Sequence, residues 1–160
     1  MAKITTVIFD FSRVLLYPKD PQYAGKLNDL YKDVKTKAPF LFFDHFTLDN
    51  TLLDWLETKK NTVKLCLYTS EIIQNDPAIF PRLEQTFDKN IFSAEDFGWS
   101  KRNPENYLDL AKKIEVLPEN IVFVDDTIEN VKAAQGAGLT TIQFFSREHI
   151  IEKLSAVLSQ

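Results

Sequence analysis

Ile121-Val122-Phe123-Val124-Asp125-Asp126 runs four apolar residues straight into two adjacent carboxylates. The β-branched and aromatic make-up of the first four marks a buried strand. Two acids at the end of such a strand are costly unless something neutralises them, and a cation would do so. The same pattern opens the chain, where residues 5–11 carry Val7, Ile8 and Phe9 into Asp10. Residues 63–68 lead into Thr69-Ser70, and short apolar runs at 91–92 and 140–145 complete a set of five predicted strands.

Between these runs the apolar residues fall at helical spacing: Leu52, Leu53 and Leu56; Ile79, Leu83 and Phe87; Tyr107, Leu110, Ala111 and Ile114; Ile128, Val131 and Ala134; Ile150, Leu154 and Leu158. Strands alternating with amphipathic helices predict an α/β fold, with a mostly parallel sheet covered on both faces and right-handed crossovers. Gly136 and Gly138 stand after a helix and before a strand. A nucleotide fingerprint has the reverse order, so these glycines read as a helix stop.

Residues 15–48 break the alternation with Pro18, Pro21 and Pro39, a predicted helix over 23–37, and the aromatic cluster Phe40-Leu41-Phe42-Phe43-Asp44-His45-Phe46. We read them as a small helical cap insertion, with residues 1–14 and 49–160 forming the core domain. Ligands of open parallel sheets sit at the carboxyl ends of the strands, and the insertion leaves from such an end.

Composition narrows the classes further. A chain of 160 residues, 44% hydrophobic and 26% charged, predicts one globular domain. A net charge of -4 offers no basic surplus for nucleic acid or anionic membrane. No run reaches the roughly 18 apolar residues of a membrane span, and no secretory signal is visible. The single Cys66 lies inside a predicted strand, which excludes a disulfide framework or cysteine-based metal site and points to a reducing cytoplasm. Only 4 glycines occur where average usage gives about eleven, so a glycine-rich phosphate cradle is not expected. A phosphate site would need other donors. Asp10, Asp125 and Asp126 offer hard oxygen ligands suited to magnesium, and Lys101, in Ser100-Lys101-Arg102-Asn103-Pro104, can reach a phosphate as a point charge.

Four stretches in order resemble the haloacid dehalogenase-like superfamily of aspartate-nucleophile phosphohydrolases: Val7-Ile8-Phe9-Asp10-Phe11-Ser12, Leu67-Tyr68-Thr69-Ser70, Lys101, and Val122 through Asn130. The resemblance is to the subfamily with an insertion after the first motif, and implies a Rossmann-like three-layer sandwich. It implies that Asp10 attacks phosphorus and forms an aspartyl phosphate that water then hydrolyses. Thr69, Ser70 and Lys101 would bind phosphoryl oxygens. Magnesium would sit on Asp10, Asp125, Asp126 and the backbone carbonyl of Ser12, while Asn130 would fix the aspartate loop. The implied substrate is a small phosphorylated metabolite, with an open site or one closed by a second copy of the chain.

Ser12 departs from the pattern, because the family has a second aspartate there that protonates the leaving group and activates water. Its carbonyl still serves the metal, so acid–base catalysis is the function expected to suffer, by about 10²–10⁴-fold. The alternative is a catalytically inactive binding or regulatory protein on the same fold. Dehalogenation would leave Asp125-Asp126 without purpose. Carbon–phosphorus cleavage would need a lid lysine, whereas Lys19, Lys26, Lys32, Lys35 and Lys37 read as a solvated face.

Overall fold

The computed structural model describes residues 2–160. In chain order the elements are β1 (Thr6–Phe9), β2 (Leu16–Pro18), α1 (Leu27–Lys35), β3 (Phe46–Leu48), α2 (Asn50–Glu57), β4 (Lys64–Thr69), α3 (Phe80–Phe87) and β5 (Ile91–Ser93). They continue with α4 (Ala94–Phe97), α5 (Pro104–Lys113), β6 (Ile121–Asp125), α6 (Ile128–Gly136), β7 (Thr140–Gln143) and α7 (Arg147–Leu158). Five strands form a parallel sheet in the order β5-β4-β1-β6-β7, with β4 and β6 flanking β1. This is the α/β, Rossmann-like architecture expected. No helix among the described residues is long and apolar enough to cross a membrane.

The two-residue period of the strands divides the core. Val7, Phe9, Leu65, Leu67, Val122 and Val124 pack with Leu52, Leu53, Leu83, Phe87, Ile150 and Leu154 of α2, α3 and α7. Ile8, Cys66, Tyr68, Ile121 and Phe123 pack with Tyr107, Leu110, Ala111, Ala133 and Ala134 of α5 and α6 on the other face. Both faces are apolar, which is why these strands read as continuous hydrophobic runs. Each fully buried large side chain contributes about 1.5–3 kcal/mol. Helix starts are fixed locally: Asp49 accepts from Leu52 N at 2.9 Å, Asn103 from Glu105 N at 3.1 Å, and Ser146 from His149 N at 3.2 Å. Gly138, at φ 91°, turns the chain after α6 toward β7.

Strand ends differ from the predicted ones for identifiable reasons. Asp10 N still bonds Val124 O at 2.8 Å, but the Phe11 carbonyl then receives the N–H groups of Val14, Leu15 and Leu16, so the chain coils away after β1. Residues 144–145 leave the last strand, and Phe145 is exposed.

Within residues 15–48, the helix predicted over 23–37 is confined to α1. Arg13, itself in the left-handed region at φ 62°, donates through Nη2 to Tyr23 O at 3.0 Å and Gly25 O at 2.7 Å. These bonds hold the approach to α1 in a loop. The antiparallel pair β2–β3 was not anticipated, because three-residue strands are too short for a period to register. Leu27, Tyr31, Val34, Phe42 and Phe46 join the same hydrophobic cluster as the α2–α3 face of the sheet, whereas Leu41 and Phe43 are exposed. Polar bonds tie α1 to the segment after β4: Tyr31 Oη donates to Asp76 Oδ2 at 2.9 Å, and Ile73 N to Asn28 Oδ1 at 3.2 Å. Lys32 pairs with Glu71 at 2.6 Å.

Candidate active site

Because β4 and β6 lie on opposite sides of β1, the carboxyl ends of these three strands frame the crevice where open α/β sheets hold ligands. Asp10 follows β1, Thr69 ends β4, and Asp125 ends β6. Lys101 enters from the loop before α5. Its ammonium lies 2.6 Å from Asp10 Oδ1 and 2.8 Å from Asp125 Oδ2. Lys101 is only 5% exposed, Asp10 7% and Asp125 0%, so this is an ion cluster largely withdrawn from water.

The surroundings keep Lys101 in place. Its backbone carbonyl accepts from Tyr107 Oη at 2.7 Å, and its ammonium lies 5.4 Å from the Tyr68 ring centroid and 5.5 Å from that of Phe123. Burial alone would favour the neutral amine, but Asp10 and Asp125 outweigh it and hold the group above the usual lysine range, hence protonated.

The two consecutive aspartates face different ways. Asp125 Oδ1 accepts from Thr127 N at 2.8 Å, and its Oδ2 accepts from Asn130 Nδ2 at 3.1 Å as well as from Lys101. It stands behind the cavity wall. Asp126 lines the cavity beside Asp10. One carboxylate oxygen from each of Asp10, Asp125 and Asp126 lies within 4.8 Å of the others.

Three carboxylates against one ammonium leave excess negative charge. Burial, opposed by Lys101 and reinforced by Asp125 and Asp126, pushes the Asp10 carboxyl up to about 8. Burial and Asp125 raise Asp126 as well. A hard divalent cation would relieve this strain, and the all-oxygen donor set suits one.

The cavity at these strand ends has a volume of about 640 Å³. Asp10, Ser12, Thr69, Ser70, Lys101 and Asp126 all line it, so the residues singled out from sequence meet around one space, with Asp125 supporting from behind. The Ser12 hydroxyl is buried and has no hydrogen-bond partner among the described residues. Trp99 is also in the wall, stacked on Phe97 with ring centroids 4.5 Å apart.

Other wall residues were not read from sequence as part of a site: Arg13, Lys26, Asn28 and Arg102. Lys26, one of the lysines that read as a solvated face, borders the cavity. Asn28 carries no local signal, since its placement depends on Ile73, 45 residues away. His45 stacks on Phe40 with ring centroids 5.9 Å apart and does not line the cavity.

Comparison with known proteins bears on the family and the fold. A family model described as haloacid dehalogenase-like hydrolase matches residues 19–138, a span that contains Thr69, Lys101, Asp125 and Asp126 but begins after Asp10 and Ser12. An enolase-phosphatase E1 of Aquifex aeolicus is 29% identical over 115 residues, covering 71% of this chain and 48% of that protein. One from Pseudomonas savastanoi is 35% identical over 80 residues, covering 49% of this chain and 35% of that protein. The chain thus spans less than half the length of these relatives.

Among solved structures, a predicted HAD-like family hydrolase from Porphyromonas gingivalis superposes with a TM-score of 0.71 at 18% identity, covering 99% of this chain and 100% of that one. A HAD family enzyme from Bacteroides thetaiotaomicron, solved in complex with magnesium and inorganic phosphate, gives 0.67 at 14% identity, covering 92% and 98%.

Proposed function

Because this chain belongs to the haloacid dehalogenase-like hydrolase family, we propose that it is a magnesium-dependent phosphohydrolase acting on a small phosphorylated metabolite through a covalent phosphate on Asp10, weakened by Ser12. The observation that carries this reading is the buried Lys101 ammonium shared between Asp10 and Asp125, with Asp126 opening onto the same cavity.

In this reading the substrate's phosphoryl group enters beside Asp10, where Lys101 and the Thr69 and Ser70 hydroxyls bind its oxygens. A carboxylate oxygen of Asp10 attacks phosphorus in line and the bond to the leaving oxygen breaks, giving an acyl phosphate and an oxyanion that takes its proton from solvent. Water then hydrolyses the acyl phosphate, releasing inorganic phosphate and restoring the Asp10 carboxylate. Asp125, with both oxygens engaged by Thr127, Asn130 and Lys101, acts as a positioning residue that aims the ammonium. Magnesium, held by Asp10, Asp126 and the Ser12 carbonyl with Asp125 adjacent, would supply neutralisation of charge developing on the phosphoryl oxygens. The Bacteroides neighbour, solved with magnesium and phosphate, supports magnesium as the ion.

At position 12 the hydroxyl of serine is too weak an acid and base at neutral pH to protonate an alkoxide or activate water. The reaction then favours substrates whose leaving group departs unprotonated, such as acyl, aryl or anomeric sugar phosphates. The curated relatives are enolase-phosphatases by name, which favours a phosphate ester over other substrates of the fold.

Phosphate release from a panel of acyl, aryl and alkyl phosphates, with and without magnesium, tests this in wild type and Asp10→Asn. Magnesium-dependent turnover lost in Asp10→Asn is expected. Serine at position 12, in place of the aspartate that serves as acid and base, favours a second reading, a non-catalytic binding or regulatory protein. No turnover on any substrate, with Asp10→Asn indistinguishable from wild type, would select it.

A further inference from the structure

Phosphoryl chemistry at Asp10 and Lys101 uses only part of the cavity. At about 640 Å³ it lies within the range of sites for whole small molecules and well beyond one phosphate. Its wall on the α1 side carries donors with no role in that chemistry. Asn28 is 5% exposed; its Oδ1 is occupied by Ile73 N at 3.2 Å, which fixes the amide so that Nδ2 is its remaining group, without a partner among the described residues. An amide held in this way in the cavity wall keeps two N–H donors available to a ligand's acceptor.

The same wall holds the start of α1, a nine-residue helix whose first N–H groups receive no side-chain cap. Lys26, at that N-cap position, and Arg102, from the Lys101 loop, line the cavity and form no ion pair among the described residues. Arg13 holds the loop that carries Lys26 through its bonds to Tyr23 O and Gly25 O. The one carboxylate on this side, Glu71, is already paired with Lys32 at 2.6 Å.

We propose that this wall is a subsite for a second acidic group, so that the substrate carries a carboxylate or a further phosphate besides the phosphoryl group that is transferred. An acceptor-only anion meets the open groups there: an amide N–H₂, uncapped helix N–H groups and the unpaired Lys26 ammonium, with the Arg102 cation lining the same cavity. A neutral alcohol or sugar would leave both charges unanswered. The inference deepens the phosphohydrolase reading and rests on it.

Calorimetric titration of the magnesium-loaded protein with methylphosphonate, phosphonoacetate and methylenediphosphonate, at saturating magnesium, tests it without turnover. At least one of the two probes with a second acidic group is expected to bind tenfold or more tightly than methylphosphonate, and the larger gain tells carboxylate from phosphate. Asn28→Asp keeps the acceptor for Ile73 N while turning the open donor into a repelling oxygen; Lys26→Ala removes an exposed charge. Each should cut the gain at least fivefold and leave methylphosphonate affinity within twofold of wild type. Equal affinity for all three probes, or a gain that survives both variants, overturns the subsite while leaving the phosphohydrolase reading standing. Failure of methylphosphonate and inorganic phosphate alike to bind overturns both.

Discussion

Replacing Ser12 by aspartate should move catalysis and stability in opposite directions. Ser12 lines the same cavity as Asp10, and its buried hydroxyl has no hydrogen bond to lose. A carboxyl there supplies the missing acid and base, worth about 10²–10⁴-fold, or roughly 3–5 kcal/mol of barrier. The gain depends on the leaving group. Because kcat/KM reports the first irreversible step, it should rise by about 10²–10⁴ for an alkyl phosphate and less than about tenfold for 4-nitrophenyl phosphate, whose phenolate departs unprotonated. The wild type, lacking a base for the second step, should show a burst of nitrophenol near one equivalent that Ser12→Asp abolishes.

Against this, a fourth carboxyl joins a cluster in which Asp10 is already pushed up to about 8. If the new group is raised as far, metal-free stability at pH 7 falls by at most about 4 kcal/mol, and magnesium should restore much of it. Stopped-flow kinetics and urea unfolding with and without magnesium measure both effects. Equal kcat/KM gains on alkyl and aryl phosphates, or none on either, would refute the reasoning.

Lys101→Met should leave Asp10 and Asp125 without their counter-charge. Breaking a buried pair costs about 3–5 kcal/mol, and because Asp10 can take up a proton the loss should fall near the lower end, lowering the melting temperature by about 6–12 °C in the absence of metal. An unchanged melting curve would contradict the cluster's role. Glu57, held below the usual carboxylate range because bonds from Thr86, Arg82 and Gln85 outweigh its burial, contributes stability that is present above pH about 4.5 and lost as pH falls through its depressed value. The stability difference between wild type and Glu57→Gln, followed by urea unfolding, should therefore shrink steadily below that pH. Burial pushes the Cys66 thiol up to about 12, so a disulfide reagent at pH 8 should leave it unmodified in the native protein and label it once urea unfolds the chain.

The parts of the molecule visible in the sequence are those governed by short-range pattern. Val122-Phe123-Val124 running into Asp125-Asp126 announces both a buried strand and charge at its end, and β1 repeats the statement with Asp10. The sequence does not show how Asp125 and Asp126 divide the work, because that depends on Thr127 N, Asn130 and Lys101 converging on one carboxylate. Asn28 and Lys26 escaped for a related reason. On a helix of charged residues they look solvated, and only the docking of α1 against Ile73 and Asp76 turns them toward the cavity. The short β2–β3 ribbon escaped because three residues carry too little pattern.

The continuity between α1 and the sheet core bears on how this protein can change over time. Tyr31 and Leu27 are packed in the same cluster as Phe9 and Leu67, and Asn28 anchors Ile73. Residues beside the cavity are therefore also residues the whole fold depends on. A chain only marginally above its stability threshold has little latitude to alter them, and a new ligand preference gained at Leu27 or Asn28 would arrive with a loss of folded protein. Lys26 and Arg102, exposed at the cavity edge and bonded to little else, are where selectivity is free to drift.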